Sequence, residues 1–305
     1  MDSQKEFQFT ITEEMGDERI DKCLDGLMDS LSRSYIQKLL SNGNVTVNGK
    51  HVKPSYRVGA DDVIKLILPA AILPKILPEN IPLSVLYEDQ DVIVVNKPKG
   101  MVVHPAPGHY EGTLVNALMY HCQGNLSGIN GVLRPGIVHR IDRDTTGSVI
   151  ACKNDYAHNE IARQLKAHTI VRRYQAIVQG VLKEDEGTIH TLIGRHPADR
   201  KKMAVLAKGG KDAVTHYQVL KRMRNTTYIE CVLETGRTHQ IRVHMAHLGH
   251  PILGDMVYGS KNNPYKLTGQ TLHAGILGFM HPVTGEYVET KAPLPEYFEK
   301  LLNIL

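Results

Sequence analysis

Four prolines between residues 69 and 82 constrain the fold of this chain more than any other feature. They are Pro69, Pro74, Pro78 and Pro82. Proline fixes its φ angle and has no backbone N–H to donate, so a segment this rich in proline forms neither a helix nor a central strand. We therefore predict a semi-rigid linker over residues 69–82, which divides the chain into a short domain, 1–68, and a long domain, 83–305.

The composition indicates a folded protein of a reducing compartment. Of the 305 residues, 42% are hydrophobic, which is enough to bury a sizeable core. The cysteines lie far apart and form no C-x-x-C pair, so they predict neither a disulfide framework nor a thiolate zinc site. The first residues lack the charged and apolar regions of an export signal, and no uninterrupted apolar run has the length of a membrane span. We expect a cytoplasmic protein without membrane association.

Two helices and a hairpin are predicted in the short domain. Apolar side chains recur at helical spacing over residues 20–31, and Ser32 or Ser34 can cap a second helix. The stretch "VTVNGKHV" alternates around Asn48-Gly49, the dipeptide that best tolerates the positive φ angles of a type I′ turn. The stretch "DDVIKLIL" supplies a closing strand.

The charges of this domain are segregated along the sequence. Residues 1–30 carry nine acidic side chains, whereas residues 31–60 carry none. The basic side chains of the acid-free stretch are those of Arg33, Lys38, Lys50, Lys53 and Arg57. A lone charge run is usually a solvated surface, but this one covers a helix and a hairpin together, which favours contacts with nucleic-acid phosphates.

The same segment resembles the alpha-L RNA-binding module of ribosomal small-subunit protein four. The resemblance runs from about Arg19 to Leu68 and is carried by "RIDKCLDGLMDSLSRSYIQKLLSNGNVTVNGKHVKPSYRV". It implies binding to structured RNA through the second helix and the hairpin, the two elements that hold the basic side chains.

The long domain mixes strands and helices without a regular βαβ order. Strand patterns occur in "DVIVVNK", "RRYQAIVQG" and "TTYIECVLETG", and helical spacing occurs in "HNEIARQLKAH" and "THQIRVHMAHLG". This order favours the α+β class, with a mixed, mainly antiparallel sheet and flanking helices, over a doubly wound sheet. The absence of G-x-G-x-x-G and G-x-x-x-x-G-K-[ST] removes the main support for a nucleotide-binding function.

The stretch "HRIDRDTTG", His139 to Gly147, is unusually dense in charge. Asp142 and Asp144 would share one side of an extended segment, and such a D-x-D pair can hold a divalent metal for a transferase. The flanking Arg140 and Arg143 neutralise the negative charge of the two aspartates, and a bound cation would need that charge. An aspartate in such a turn can also serve only to cap backbone amides.

A second cluster is "ETGRTHQIRVHMAHLGHPILGD", in which Thr238 can cap a helix. Arg242 lies beside the apolar stripe of that helix, where it either covers apolar neighbours with its stem or pairs with an anion such as a catalytic carboxylate. The histidines of the cluster do not form H-E-x-x-H, so we predict no metal site. Tyr174 lies on the inward side of its strand, as a core tyrosine or as part of a site.

Six motifs together resemble the RluA/RluD class of ribosomal-RNA pseudouridine synthases. The likeness runs in the expected order from about Leu86 to the C-terminus. The motifs are "VNKPKGMVVHPAPGH", "GTLVNAL", "RPGIVHRIDRDTTG", "RRYQAIVQG", "IGRHPADRKKMAV" and "ETGRTHQIRVHMAHLGHPILGD".

The resemblance implies an isomerisation in which uridine is detached from its ribose at N1, turned and rejoined through C5, without cofactor or metal. It assigns Asp142 as the essential carboxylate, acting either on carbon or on a sugar proton, and Arg242 as its ion-pair partner. Tyr174 would pack on the uracil and help to remove the C5 proton. Arg140 would fill the gap that the flipped base leaves, unless it only contacts a phosphate or pairs with Asp144.

The sequence thus predicts a monomeric pseudouridine synthase acting on large-subunit ribosomal RNA or on ribosome-assembly intermediates. A further phosphate-binding loop, or a merely solvated one, is predicted at Arg195, Arg200, Lys201 and Lys202. Two other functions stay open from the residues alone: a non-catalytic RNA-binding protein of ribosome assembly, and a D-x-D metal-dependent transferase.

Overall fold

The chain divides within its proline-rich segment. A computed structural model shows two units, Met1–Pro74 and Lys75–Leu305, and it describes residues 5–28, 31–69, 76–106, 108–131, 134–199, 202–260, 262 and 264–305. Residues 70–75 of the predicted linker lie outside the described residues. Residues 76–82 contain no helix or strand, and Ile76 is buried in the core of the second unit. The predicted domain boundaries stay a prediction.

The first unit is a four-stranded antiparallel sheet with two helices. Its strands follow the order β1-β4-β2-β3. The elements are β1 (Lys5–Thr10), α1 (Ile20–Leu27), α2 (Arg33–Ser41), β2 (Val45–Val47), β3 (Lys50–His51) and β4 (Val63–Leu68). Both helices place apolar side chains in one core with the sheet, because one face of each helix carries the hydrophobic stripe.

Two local signals of the first unit act as predicted. The Ser32 hydroxyl accepts a hydrogen bond from the backbone N–H of Tyr35 and so caps α2. Asn48 and Gly49 have φ angles of 49° and 76°, which close the hairpin of β2 and β3. Strand β1, which the sequence analysis did not predict, pairs along the whole of β4.

The second unit is built on a ten-stranded sheet with the order β10-β9-β11-β12-β8-β13-β7-β6-β5, and β14 pairs with β13. The strands are β5 (Val85–Glu88), β6 (Val92–Lys97), β7 (Thr146–Cys152), β8 (Val171–Gln179), β9 (Glu186–Arg195), β10 (Met203–Leu206), β11 (Lys211–Arg222), β12 (Thr226–Leu233), β13 (Leu272–Met280) and β14 (Tyr287–Lys291). Among these described strands, only β7 and β13 pair in parallel. The predicted α+β class with a mainly antiparallel sheet is confirmed.

Four helices flank this sheet: α3 (Leu114–His121), α4 (Asp155–Lys166), α5 (Gln240–His247) and α6 (Glu296–Ile304). The strand and helix patterns of the five stretches named above all form the predicted type of element. In the part of the chain that the structure describes, no helix combines the length and the apolarity that crossing a membrane requires.

Gly147 explains why the charged motif ends in Thr-Thr-Gly. It lies at the start of β7 with a φ of 110° and pairs with Ala274 of the parallel neighbour β13. A Cβ at this position would collide with the backbone of Ala274, so only glycine allows the two strands to approach this closely. The turn that carries Asp142 is therefore joined directly to a tightly packed pair of central strands.

Candidate active site

Asp142 lies on a turn that leads into β7. The backbone carbonyl of Asp142 accepts a hydrogen bond of 3.1 Å from the N–H of Thr145, and the side chain of Gln270 donates to the Thr145 hydroxyl at 2.9 Å. The Asp142 side chain is 18% exposed. The carboxylate is therefore held by a closed turn and reaches a pocket.

A fully buried lysine fixes the other side of this turn. Lys97, the last residue of β6, donates from Nζ to three backbone carbonyls at 2.9 Å each, those of Pro98, Met101 and Arg143. Burial lowers the pKa of Lys97 to about 7, against the opposing effect of the negative charges of Asp144 and Asp142. Lys97 thus ties the end of β6 to the residue next to Asp142.

Arg242 projects from α5 and contacts two carboxylates at once. Its Nη1 donates to Oδ2 of Asp142 at 2.8 Å, while Nε and Nη2 donate to the two oxygens of Asp255 at 2.6 and 3.0 Å. The side chain is only 7% exposed. The bidentate pair with Asp255 fixes the plane of the guanidinium, so the remaining nitrogen points at Asp142.

Asp255 is a site residue that the sequence analysis did not identify. Its carboxylate is fully buried and also accepts hydrogen bonds from the backbone N–H groups of Val257 and Tyr258. Burial alone would raise its pKa, but Arg242 and the two N–H groups outweigh that effect and hold the pKa below its usual range. The signal in the sequence that could have predicted a second carboxylate was Arg242, because a buried guanidinium has more N–H donors than one carboxylate can accept.

His239 contacts Asp142 from the start of α5. This residue, with a φ of 57°, is the N-cap of the helix, so the prediction that Thr238 caps it is wrong. Its Nε2 lies 3.7 Å from Oδ1 of Asp142, and its Nδ1 lies 2.7 Å from the hydroxyl of Tyr258. Burial lowers the pKa of His239, although Asp142 opposes this. A neutral ring that accepts at Nδ1 carries its proton on Nε2, towards Asp142.

Tyr174 lines the same pocket from β8. It is 8% exposed, and its ring packs in one core with Ala176 and Val178, as its inward position predicted. Burial raises the pKa of its phenol, with Arg172 opposing and Asp142 reinforcing the shift. The hydroxyl is therefore protonated at neutral pH.

The pocket combines polar and planar groups that suit a small polar ring. Asp142, Tyr174, Arg242, Arg140 and His239 line it together with apolar side chains of Ile141, Leu233 and Leu272. The three residues predicted as catalytic thus meet in one place. The three apolar side chains would exclude water from part of the pocket, so the ion pair beside them is only weakly screened.

Arg140 also lies at this pocket, but it does not pair with Asp144. Its Nη1 is 3.4 Å from Nε2 of His104, whereas the carboxylate of Asp144 accepts two hydrogen bonds from Arg143. The salt bridge between Arg140 and Asp144, one of the alternatives from the sequence, is therefore absent from the described residues.

The predicted phosphate-binding loop is only partly described. Arg195 ends β9 and lines a groove with Lys211 and Arg237. The backbone of Lys202 forms a turn with Asp199 and pairs with His196. Arg200 and Lys201 lie outside the described residues.

The basic side chains of the first unit fall into two groups. Three of them are exposed and pair with no acidic side chain in the described ranges: Lys38, Lys50 and Lys53. Arg33 instead donates from Nε and Nη2 to Asp21 at 3.2 and 3.0 Å, and Nη1 of Arg57 lies 3.3 Å from Asp17. Two of the five basic side chains of the acid-free stretch therefore pair with acidic side chains from an earlier part of the chain.

Asp21 explains why Arg33 is held in place. Its fully buried carboxylate also accepts hydrogen bonds from Arg19 and from Gln37. Although burial opposes ionisation, these donors hold the pKa of Asp21 far below its usual range. The guanidinium of Arg33 thus belongs to a structural network, whereas the three exposed lysines remain available to a ligand.

A carboxylate, a guanidinium and a buried tyrosine lie around one pocket. A family model described as RNA pseudouridylate synthase matches residues 91–247, and one described as S4 domain matches residues 18–64. The first match spans every residue of the Asp142–Arg242–Tyr174 group and ends before Asp255.

Relatives and solved structures agree with this match. The chain is 51% identical to an uncharacterized RNA pseudouridine synthase of Bacillus subtilis, YlyB, over 98% of both chains. It is 46% identical to ribosomal large subunit pseudouridine synthase D of Zymomonas mobilis, over 98% of this chain and 97% of that one. Human RNA Pseudouridylate Synthase Domain Containing 1 superposes with a TM-score of 0.59 at 25% identity, covering 74% of this chain and 95% of that chain. The chain belongs to the RNA pseudouridylate synthase family.

The geometry predicts that Asp255 acts through Arg242. In Asp255→Asn the guanidinium loses its fully buried counter-charge but keeps its contact with Asp142, so the cost should lie below the roughly 3–5 kcal/mol of a buried charge left without any partner. We expect a lower melting temperature and a turnover on RNA reduced by roughly tenfold or more, since tenfold needs only about 1.4 kcal/mol. Turnover is measured by release of tritium from C5-labelled uridine.

The matched control is Asp144→Asn, which removes a carboxylate paired with Arg143 near the surface. Because Arg143 is 63% exposed, this pair should contribute only about 0–1 kcal/mol, and both the melting temperature and the turnover should stay close to those of the unmodified protein. Full turnover by a folded Asp255→Asn variant would show that Asp255 does not position Arg242 for catalysis.

Proposed function

We propose that this protein converts uridine to pseudouridine in large-subunit ribosomal RNA, with Asp142 as the catalytic carboxylate. The observation that carries the proposal is the contact between Asp142 and Arg242 in a pocket shared with Tyr174. The relative from Zymomonas mobilis, named for the ribosomal large subunit, supports the substrate.

The reaction breaks the bond between N1 of uracil and C1′ of ribose and forms a bond between C5 and C1′. N1 gains a proton and C5 loses one, so the change is an isomerisation without oxidation or net hydrolysis. The hydrogen bond from Arg242 holds the Asp142 carboxylate in place, and a positioned carboxylate serves both candidate roles, attack on carbon and removal of a sugar proton.

Tyr174 fits the role of a platform for the uracil. Its buried ring lines the pocket beside Asp142, and an aromatic ring can stack on a base that has left its own stack. Because burial raises the pKa of the phenol, Tyr174 would need a second group to take a proton from C5. Arg140, at the mouth of the same pocket, remains the residue that we propose fills the gap in the RNA.

The contacts of the two aspartates favour this function over a D-x-D transferase. Asp142 pairs with Arg242 and Asp144 pairs with Arg143, so each carboxylate already has a cationic partner. Among the described residues, one group of three side chains could hold a metal ion, Asp89, Asp91 and His281, and none of them lines the pocket. The proposed reaction needs neither a metal nor a cofactor.

We further propose a division of labour between the parts of the chain. Residues 1–68, which contain the S4 domain match, would bind RNA. Residues 69–82 would link this domain to residues 83–305, which would carry out the reaction. The exposed lysines of the first unit support this assignment. A monomer in the cytoplasm remains our prediction.

The central prediction concerns Asp142→Asn. Asparagine keeps the shape of the side chain but can act neither as a nucleophile nor as a base, so we expect release of C5 tritium from RNA to be lost. Affinity for RNA should change little. Asp144→Asn serves as the control for loss of a nearby carboxylate and should retain turnover.

The same assay separates the alternatives. Turnover close to normal in Asp142→Asn would show that another group is the catalytic carboxylate. No tritium release even by the unmodified protein on large-subunit ribosomal RNA, combined with tight binding, would favour the non-catalytic RNA-binding protein.

The next prediction concerns the three exposed lysines of the first unit. Replacing Lys38, Lys50 and Lys53 by glutamine should weaken RNA binding and flatten its salt dependence by roughly 0.7–0.9 in log K against log salt for each lysine that contacts a phosphate. Arg33 is left intact because it supports the buried Asp21. The maximal rate on saturating RNA should fall much less than the affinity.

The control for this variant is Lys65→Gln, which removes a lysine paired with Glu6 in the same unit. Its salt slope should match that of the unmodified protein. If the triple variant binds RNA with unchanged affinity and slope, the basic stretch is a solvated surface and the first unit is not the RNA anchor at these positions.

A further inference from the structure

A second cavity adjoins the active-site pocket and is lined by basic side chains. We call it the arginine cavity. Its lining includes Arg140, Lys166, Arg172 and Arg237 together with His139 and His168, and no acidic side chain is among the described residues that line it. It shares Tyr174, Leu233 and two of its arginines with the active-site pocket. The two cavities are therefore neighbours that share the side chain of Tyr174.

Arg172 is the buried member of this group. It is 7% exposed, and the alternation of β8 places it on the same side of the strand as Tyr174, with Arg173 on the opposite side. Its Nη2 donates to the backbone carbonyl of Glu234 at 2.7 Å. Its Nε is buried and donates to no acceptor among the residues that the structure describes. Within the described part of the chain, no carboxylate forms an ion pair with Arg172.

A glycine keeps room for this guanidinium. A Cβ built on Gly236 would lie 2.7 Å from Nη1 of Arg172. The chain therefore passes the guanidinium closely, and the absence of a side chain at Gly236 leaves the cavity open at that point.

The charges in the cavity repel one another. Burial lowers the pKa of Arg172, and the positive charge of Arg237 lowers it further, although the neighbouring phenol of Tyr174 acts in the opposite direction. Arginine nevertheless stays protonated in proteins. A buried charge of this kind is stable only with a counter-charge and acceptors for its N–H groups. The arginine cavity thus has the donors and the charge of an anion site.

Phosphate is the anion that best fits this cavity. Arginine presents several donors in a plane that matches phosphate oxygens, and phosphate contacts fix the position of a nucleic acid on a protein. A uridine that enters the active-site pocket brings backbone phosphates on both sides of its ribose. We propose that the arginine cavity binds an RNA backbone phosphate next to the target uridine, with Arg172 as its buried anchor, an inference that rests on the proposed function.

The test compares Arg172→Met with Arg173→Met. Both variants lose one arginine from adjacent positions of β8, but Arg173 is exposed and lies 4.0 Å from Glu230 on the other side of the strand. The ligand is in-vitro transcribed large-subunit ribosomal RNA, with binding measured at several salt concentrations. We expect Arg172→Met to bind about tenfold or more weakly, since a hydrogen bond to a charged group contributes that much. Its salt slope should be flatter by roughly 0.7–0.9.

Arg173→Met should keep both the affinity and the salt slope of the unmodified protein. Arg172→Met with unchanged slope and affinity would overturn the proposal. Binding is measured apart from turnover, so absence of tritium release by the unmodified protein would refute the proposed function while the slope still tests the cavity. If Arg172→Met loses binding of inorganic phosphate, followed by phosphorus NMR, but keeps its RNA slope, the cavity is a site for free phosphate and the proposal fails.

A second pair of variants covers the case in which Arg172→Met does not fold. Lys166 is exposed at the end of α4 and lines the cavity, whereas Arg163 of the same helix pairs with Glu160 outside it. Lys166→Gln should flatten the salt slope and raise the KM for RNA, with a smaller change in kcat. Arg163→Gln should change neither. Equal slopes for these two variants would overturn the proposal.

Discussion

Arg242 holds two carboxylates together, and the geometry of the active site depends on this sharing. Its bidentate contact with the buried Asp255 fixes the guanidinium, and the remaining nitrogen reaches Asp142 at 2.8 Å. Both contacts lie where water is largely excluded, so they are stronger than the same pairs at a surface. Loss of Arg242 would leave Asp142 and the buried Asp255 without their cationic partner, whereas loss of one carboxylate would leave Arg242 paired with the other.

The framework around this triad limits how far Asp142 can move. Lys97 joins the Asp142 turn, through the carbonyl of Arg143, to the segment that follows β6, and Gly147 joins the turn to the closely packed strands β7 and β13. Strand β8 adds Tyr174 on its inward side. Catalysis by a positioned carboxylate needs such pre-organisation, because a displaced group loses much of its effect.

Patterns within one element were predictable from the sequence. The Ser32 cap, the Asn48-Gly49 turn and the inward position of Tyr174 depend only on local geometry, which the order of residues determines. The contact between Asp142 and Arg242 was expected only from the resemblance to a family, because the two residues are 100 positions apart and no local pattern relates them.

Contacts between distant segments were not predictable in the same way. Asp255 and Lys97 have partners that are set by tertiary packing, and neither lies in a pattern that assigns it a role. Asp21 on α1 pairs with Arg33 on α2. The acid-free stretch of sequence therefore suggested more unpaired basic side chains than the folded unit has. His239, rather than Thr238, is the N-cap residue of α5, with a left-handed backbone and no capping hydrogen bond from its side chain, so the usual cap signal did not locate the start of this helix.

The most direct test of the account is a map of pseudouridines in large-subunit ribosomal RNA from cells that lack this gene, complemented with either the unmodified protein or Asp142→Asn. The account predicts that one or more pseudouridines disappear with the gene, return with the unmodified protein and stay absent with an Asp142→Asn variant present at the same level. An identical set of pseudouridines in all three strains would contradict it, as would restoration by Asp142→Asn.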